Sequence, residues 1–179
     1  IKSWKIPNSK YSADEVTPRL LLSNTAGMPL GTIGVRYAPQ EKKPTLKESL
    51  TKDAVLRQKP GESFYYSNTG FNILELLIED VSGQSFAEYM NEEILMPLHM
   101  TNSTFQWSED INNKIPNGYD YKGKEIPVYV YPDKASGGLF ATVEDIARFV
   151  TAGMPTFNEN ISVLDEEYIN QIYSPAVEI

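Results

Sequence analysis

Three arrangements in this chain put reactive side chains at useful spacings. Tyr66-Ser67-Asn68 sets a phenol two residues from a carboxamide, directly before a long apolar-periodic stretch. At such a loop-to-helix junction a side chain can face a cleft, beside the positive end of the helix. Ser49-Leu50-Thr51-Lys52 sets a hydroxyl one helical turn from an amine, an arrangement in which a lysine held near neutral takes a serine proton. His99 is the only histidine.

Each arrangement also has a plainer reading. Ser49 is the only serine with a lysine three residues on, and the serine and lysine content predicts about one such match by chance. It lies inside a short amphipathic helix among Lys47, Glu48 and Asp53, so it reads as helix surface and not as a nucleophile. His99 follows Pro97-Leu98 at a helix exit and reads as a surface or capping residue. With one histidine, a Ser-His-Asp triad or a histidine metal site would have to rest on it alone. Tyr-x-Asn occurs at Tyr66, Tyr89 and Tyr168. Tyr89 and Tyr168 fall at core spacing inside predicted helices, where a large ring packs. Tyr66 alone sits at a junction, with Asn68 or Thr69 as the expected helix cap.

The elements that position these residues are legible from caps and breakers. Thr17-Pro18 opens a short helix through Leu20, Leu21 and Leu22, stopped by Ala26-Gly27 and Pro29. Residues 27–44 read as a long loop. Thr45-x-x-Glu48 is a capping box over Leu46 and Leu50, and Pro60-Gly61 turns the chain. The clearest helix spans roughly 68–82, with Phe71, Leu74, Leu77, Ile78 and Val81 as its apolar stripe and Gly83 as its stop. Ser85-x-x-Glu88 opens a helix over Phe86, Tyr89, Met90 and Ile94 that ends before Pro97. Residues 102–133 predict loops and a small hairpin, with Val128-Tyr129-Val130 as the alternating piece. Thr142-x-x-Asp145 starts a helix through Ile146, Phe149 and Val150, and a last helix covers 166–173. The expectation is one domain, mainly α, with short strands and long loops. Loops of that length in a compact domain are uncommon unless they do work or pack against something.

Composition narrows the function. A net charge of −8 leaves no basic surface to displace counterions, which argues against a nucleic-acid partner. The absence of cysteine excludes disulfides and thiolate chemistry, and scattered carboxylates such as Glu92-Glu93 suit helix surfaces and suggest no metal. No apolar run approaches the ~18 residues of a membrane span. The chain opens on Ile1, and the expectation is that it is part of something longer.

The stretch "KPGESFYYSNTGFNILELLIEDVSGQSFAEYMNEEILMPLHMTNSTF" strongly resembles the second-motif region of the serine penicillin-recognising hydrolases. The branch is that of class C β-lactamases, a D-Ala-D-Ala carboxypeptidase and related esterases and aminopeptidases. "VTPRLLLSNTAGMP" and "ASGGLFATVEDIARFV" agree with the segments before and after it, in order and spacing. The resemblance covers roughly 15–175 and implies the helical lobe of a β-lactamase/transpeptidase-like fold, whose active site lies in a cleft against an α/β lobe. It implies Tyr66 as the proton-shuttling phenol, its pKa lowered by a lysine, and Asn68 as the group that bonds the substrate amide and that lysine. Ser67 would be a spacer with its hydroxyl turned away. Gly137 and Gly138 would form the cleft wall, where a missing Cβ leaves room for substrate. Asn24 departs from the family pattern, which commonly has histidine there, and reads as structural. The family's nucleophilic Ser-x-x-Lys belongs upstream of these residues and its Lys/His-x-Gly strand downstream, so the chain would be inactive alone. The resemblance further implies no cofactor, a β-lactam, ester or peptidoglycan-peptide substrate, an extracytoplasmic or cell-surface bacterial setting, and self-association through an exposed inter-lobe face. The alternative is a non-catalytic binding module retaining the fold.

Overall fold

The computed structural model describes residues 1–31, 35–154 and 163–176 of the 179. Helices dominate its regular structure: α1 (Pro18–Leu22), α2 (Leu46–Asp53), α3 (Asn68–Ser82), α4 (Phe86–Met90), α5 (Glu109–Asn112), α6 (Val143–Ala152) and α7 (Glu166–Ile172). A π-helical turn, Asn91–Leu95, continues α4. The only paired strands among the described residues are β1 (Gly118–Tyr119) and β2 (Glu125–Ile126), antiparallel with Gly118 opposite Ile126. The hairpin thus falls earlier than the Val128–Val130 alternation suggests. Val130 instead forms an isolated bridge with Tyr37, each backbone N–H donating to the other's carbonyl.

Local chemistry starts most of these helices. Thr45 and Glu48 close a reciprocal capping box on α2, and Ser85 and Glu88 do the same on α4. Thr17, with Pro18 behind it, caps α1, and Gly83 ends α3 at φ +75. The cap of α3 is neither Asn68 nor Thr69 but Ser67, whose Oγ accepts the Gly70 N–H at 2.9 Å.

Packing settles what periodicity leaves open. α1 and α2 both lie against α3, and Leu21, Met28, Leu50, Ala54, Ile73 and Leu76 form the main core. Each fully buried Leu or Ile there contributes about 2 kcal/mol. The buried face of α3 is Thr69, Gly70, Asn72, Ile73, Glu75 and Leu76. This is rotated from the stripe read from sequence: Val81 is exposed, and Phe71, Leu74, Leu77 and Ile78 are only half-buried. The helix is apolar on several sides, so the helices that contact it, α1, α2 and α4, choose the face, and the polar side chains of Thr69, Asn72 and Glu75 go inside with it.

A second cluster joins Leu95, Leu98 and Met100 to Ala152 of α6. Its anchor is Asp145, fully buried, whose carboxylate accepts the Asn102 N–H at 2.8 Å, the Ser103 hydroxyl at 2.8 Å and the Arg148 guanidinium. Burial opposes its charge, but these donors hold its pKa below the ordinary carboxylate value. Ile146, Phe149 and Val150, read as the apolar face of α6, are exposed, and so is Tyr168 of α7, expected to pack. His99 is exposed too, in a left-handed turn at φ +57. Asp145→Ala strands three donors at once and is expected to cost about 3 kcal/mol. Urea unfolding that shows less than about 1 kcal/mol would contradict this anchor.

Candidate active site

The Tyr66 junction is built by one residue, Asn24. It takes a left-handed φ of +56 at the end of α1, a conformation asparagine tolerates better than most residues. From there its backbone carbonyl accepts the Tyr65 N–H at 2.8 Å and its Oδ1 accepts the Ser67 N–H at 3.0 Å. Tyr66 is thereby bracketed on both sides and is 55% exposed. Ser67 is buried and saturated: its hydroxyl donates to the Pro29 carbonyl at 2.6 Å while capping α3. It is therefore no nucleophile. The Asn68 N–H donates to the Leu30 carbonyl at 3.0 Å, which leaves the half-buried Asn68 side chain at the first turn of α3.

Gly27 lets the two strands of this junction come together. Its φ is +73, and an added Cβ would lie 2.3 Å from the Gln58 carbonyl oxygen. Its own carbonyl accepts the Arg57 N–H at 2.8 Å.

The second half of the site is the turn carrying Gly137 and Gly138. It hangs from α3 by two buried side chains. Glu75 is 1% exposed, and its Oε2 accepts the backbone N–H groups of Lys134 and Ala135, both at 2.7 Å. One turn earlier, Asn72 Nδ2 donates to Asp133 Oδ2 at 3.0 Å. Burial raises the Glu75 pKa to about 7, against the pull of those two N–H bonds. Burial and the nearby Asp53 raise that of Asp133 to about 6, with Ser49 and Lys134 opposing.

Two clefts meet at this turn. One, of about 560 Å³, is lined by Ser49, Lys52, Asn68, Asn72, Asp133 and Gly137. The other, of about 590 Å³, is aromatic, with Phe105, Trp107, Tyr119, Tyr129 and Gly138 along it. Gly137 and Tyr131 line both. So Asn68 and Gly137 share a cleft, Gly138 lies in the adjoining one, and Tyr66 lines neither. The two glycines also differ in role. A Cβ on Gly138 would fall 2.8 Å from Lys134 Cα, so its missing side chain makes room for backbone and not for a ligand. A Cβ on Gly137 would meet only the Tyr131 ring at 3.7 Å. Ser49 lines the same cleft, where its hydroxyl favours the charged form of Asp133.

Asn72, Glu75 and Asp133 were not singled out from sequence. Glu75 carried a signal: a carboxylate flanked by Leu74 and Leu76, inside a helix with apolar residues on every side.

The chain matches the family model "Beta-lactamase" over residues 4–177, and it belongs to that family. It is 30% identical over 145 residues to Protein flp of Staphylococcus aureus (strain N315), covering 76% of this chain and 28% of that protein. Its fold resembles the octameric penicillin-binding protein homologue from Pyrococcus abyssi, at 29% identity and a TM-score of 0.65, covering 92% of this chain and 40% of that one. The penicillin binding protein from Bacillus halodurans is similar at 25% identity and a TM-score of 0.66, covering 91% and 52%. The chain thus spans between about a quarter and a half of the length of these relatives.

Two outcomes follow from the site's geometry. Gly138→Ala is expected to cost more than about 1 kcal/mol, while Gly137→Ala stays within about 0.5 kcal/mol. Equal losses for the two in chemical denaturation would contradict the division of roles. Glu75 titrates at 4.5 when unfolded and about 7 when folded, so the folded state binds its proton more tightly. Its contribution is full below pH 4.5 and is lost as pH rises through 7. Glu75→Gln should flatten the fall in stability between pH 5 and 8; an unchanged slope would show that Glu75 does not carry it.

Proposed function

We propose that this chain is the helical side of the catalytic cleft in a serine hydrolase that forms an acyl-enzyme. The observation that supports this most is the placement of Asn68 and Gly137 on one cleft, with Tyr66 two residues before Asn68 on a backbone that Asn24 holds on both sides. Two serines, Ser49 and Ser136, line this cleft, and the resemblance assigns the nucleophile to neither. Ser67, next to Asn68, is buried and spent on a cap. In this reading the nucleophile and its lysine come from outside these residues.

The roles then follow from chemistry. Tyr66 relays a proton between the nucleophile and the leaving group, which requires an exposed phenol on a fixed backbone. Asn68 offers a carboxamide donor and acceptor to the substrate amide, beside the positive end of the fifteen-residue helix α3. The Gly137 backbone forms the opposite wall. The aromatic cleft beyond it suits an apolar acyl or side-chain group, so the substrates would be β-lactams, peptides or esters with such a substituent.

The test is acylation by a fluorescent penicillin. The chain by itself should take no label. The protein that also carries the nucleophile should take one label per active site, and Tyr66→Phe or Asn68→Ala should slow labelling on the order of 100-fold. Labelling of the chain alone, or full-rate labelling of both variants, would remove this reading.

A further inference from the structure

Among the described residues, three buried side-chain atoms have no hydrogen-bond partner, and two of them belong to one pair. Asn72 Nδ2 donates to Asp133 Oδ2 at 3.0 Å, yet the remaining oxygens, Asn72 Oδ1 and Asp133 Oδ1, are both buried and unpaired. Asn72 is 8% exposed, so solvent does not satisfy it. Two orphaned acceptors on bonded partners would cost the desolvation of each. A single proton removes both deficits. A carboxylic acid and a carboxamide are complementary: each has one donor and one acceptor on neighbouring atoms, and together they close an eight-membered ring.

We propose that Asp133 is a proton-carrying positioning residue whose Oδ1–H donates to Asn72 Oδ1. The resulting closed acid–amide pair fixes the base of the Gly137–Gly138 turn against α3.

The surroundings favour the neutral form. From α2, Asp53 repels a charge on Asp133, and the Ser49 hydroxyl favours it. From α3, Glu75 lies one turn beyond Asn72 and carries its own proton up to about pH 7. From the same loop, Lys134 pulls the other way. Tyr37, Lys42, Glu48, Lys52 and Tyr131 complete the ionisable lining of the cleft. Burial and Asp53 outweigh Ser49 and Lys134, which places the transition at about pH 6. Below it the ring is closed. Above it the Asn72–Oδ2 bond and the Glu75 bonds hold the turn, and the wall beside Asn68 loosens. The pairing concerns this chain alone; its effect on a substrate rests on the cleft reading given above.

The experiment is a carboxyl ¹³C NMR titration of the chain, with Asp133 assigned by its loss in Asp133→Asn. The expected midpoint for Asp133 is about 6, and the Asn72 side-chain NH₂ should shift with the same midpoint. In Asp133→Asn a second amide replaces the O–H donor at every pH. The Asn72 step should then vanish while Lys134 and Ala135 amides keep the step that Glu75 imposes. An Asp133 midpoint in the ordinary carboxylate range overturns the proposal, as does an Asn72 step that survives in Asp133→Asn. Through-bond correlation from the Asp133 backbone to its carboxyl carbon assigns the wild-type midpoint even if the variant folds poorly. No substrate is involved, so a failure here is distinct from a failure of penicillin labelling.

Discussion

Everything at this site depends on polar atoms being satisfied inside a helix contact. α3 packs on α1, α2 and α4, and its buried face contains Asn72 and Glu75 as well as Ile73 and Leu76. A buried carboxylate or carboxamide is costly unless donors and acceptors meet it. Here the partners are backbone N–H groups of the 133–135 segment and the side chain of Asp133. The loop is thus not draped over the helix; it is the helix's solution to its own buried polarity.

The same logic operates at the N-terminus of α3. The four orphan N–H groups of a helix start need acceptors, and Ser67 supplies one while giving its proton to Pro29. Asn24 supplies the next acceptors back along the chain, to Ser67 and Tyr65. Between them Tyr66 has little backbone freedom left. Both halves of the site therefore refer to one rigid element, and their relative position is set by hydrogen bonds worth about 1–3 kcal/mol each when broken in a buried place. Such an arrangement gives up some stability for a defined geometry. Burial of Glu75 disfavours its charged form and raises its pKa to about 7.

What could be read from the sequence is what short-range chemistry decides. The Thr45 and Ser85 capping boxes, the Thr17-Pro18 start and the Gly83 stop were all visible because their partners lie within a few residues. The Tyr66–Asn68 junction and the Gly137–Gly138 turn were visible as motifs. Their geometry was not, because it comes from contacts far apart in sequence: Asn24 with Ser67, Glu75 with Lys134, Asn72 with Asp133. The rotated face of α3 has the same origin, since a helix apolar on several sides carries no preference until its neighbours dock. The buried Asp145 shows how a cap position conceals a second role. It completes the Thr142 cap through its N–H, but its carboxylate holds Asn102 and Ser103. Gly138 looked like a space for substrate and proved to be a space for Lys134.

The central claim is that α3 holds both halves of the cleft through buried polar bonds. Native-state amide hydrogen exchange measures this most directly. The account predicts that the N–H groups of Ser67, Asn68, Lys134 and Ala135 exchange as slowly as that of Ile73, through opening of the core. Exchange of Lys134 and Ala135 at the rate of the exposed turn at Gly123 would contradict it, because the cleft wall would then be a loop that α3 does not hold.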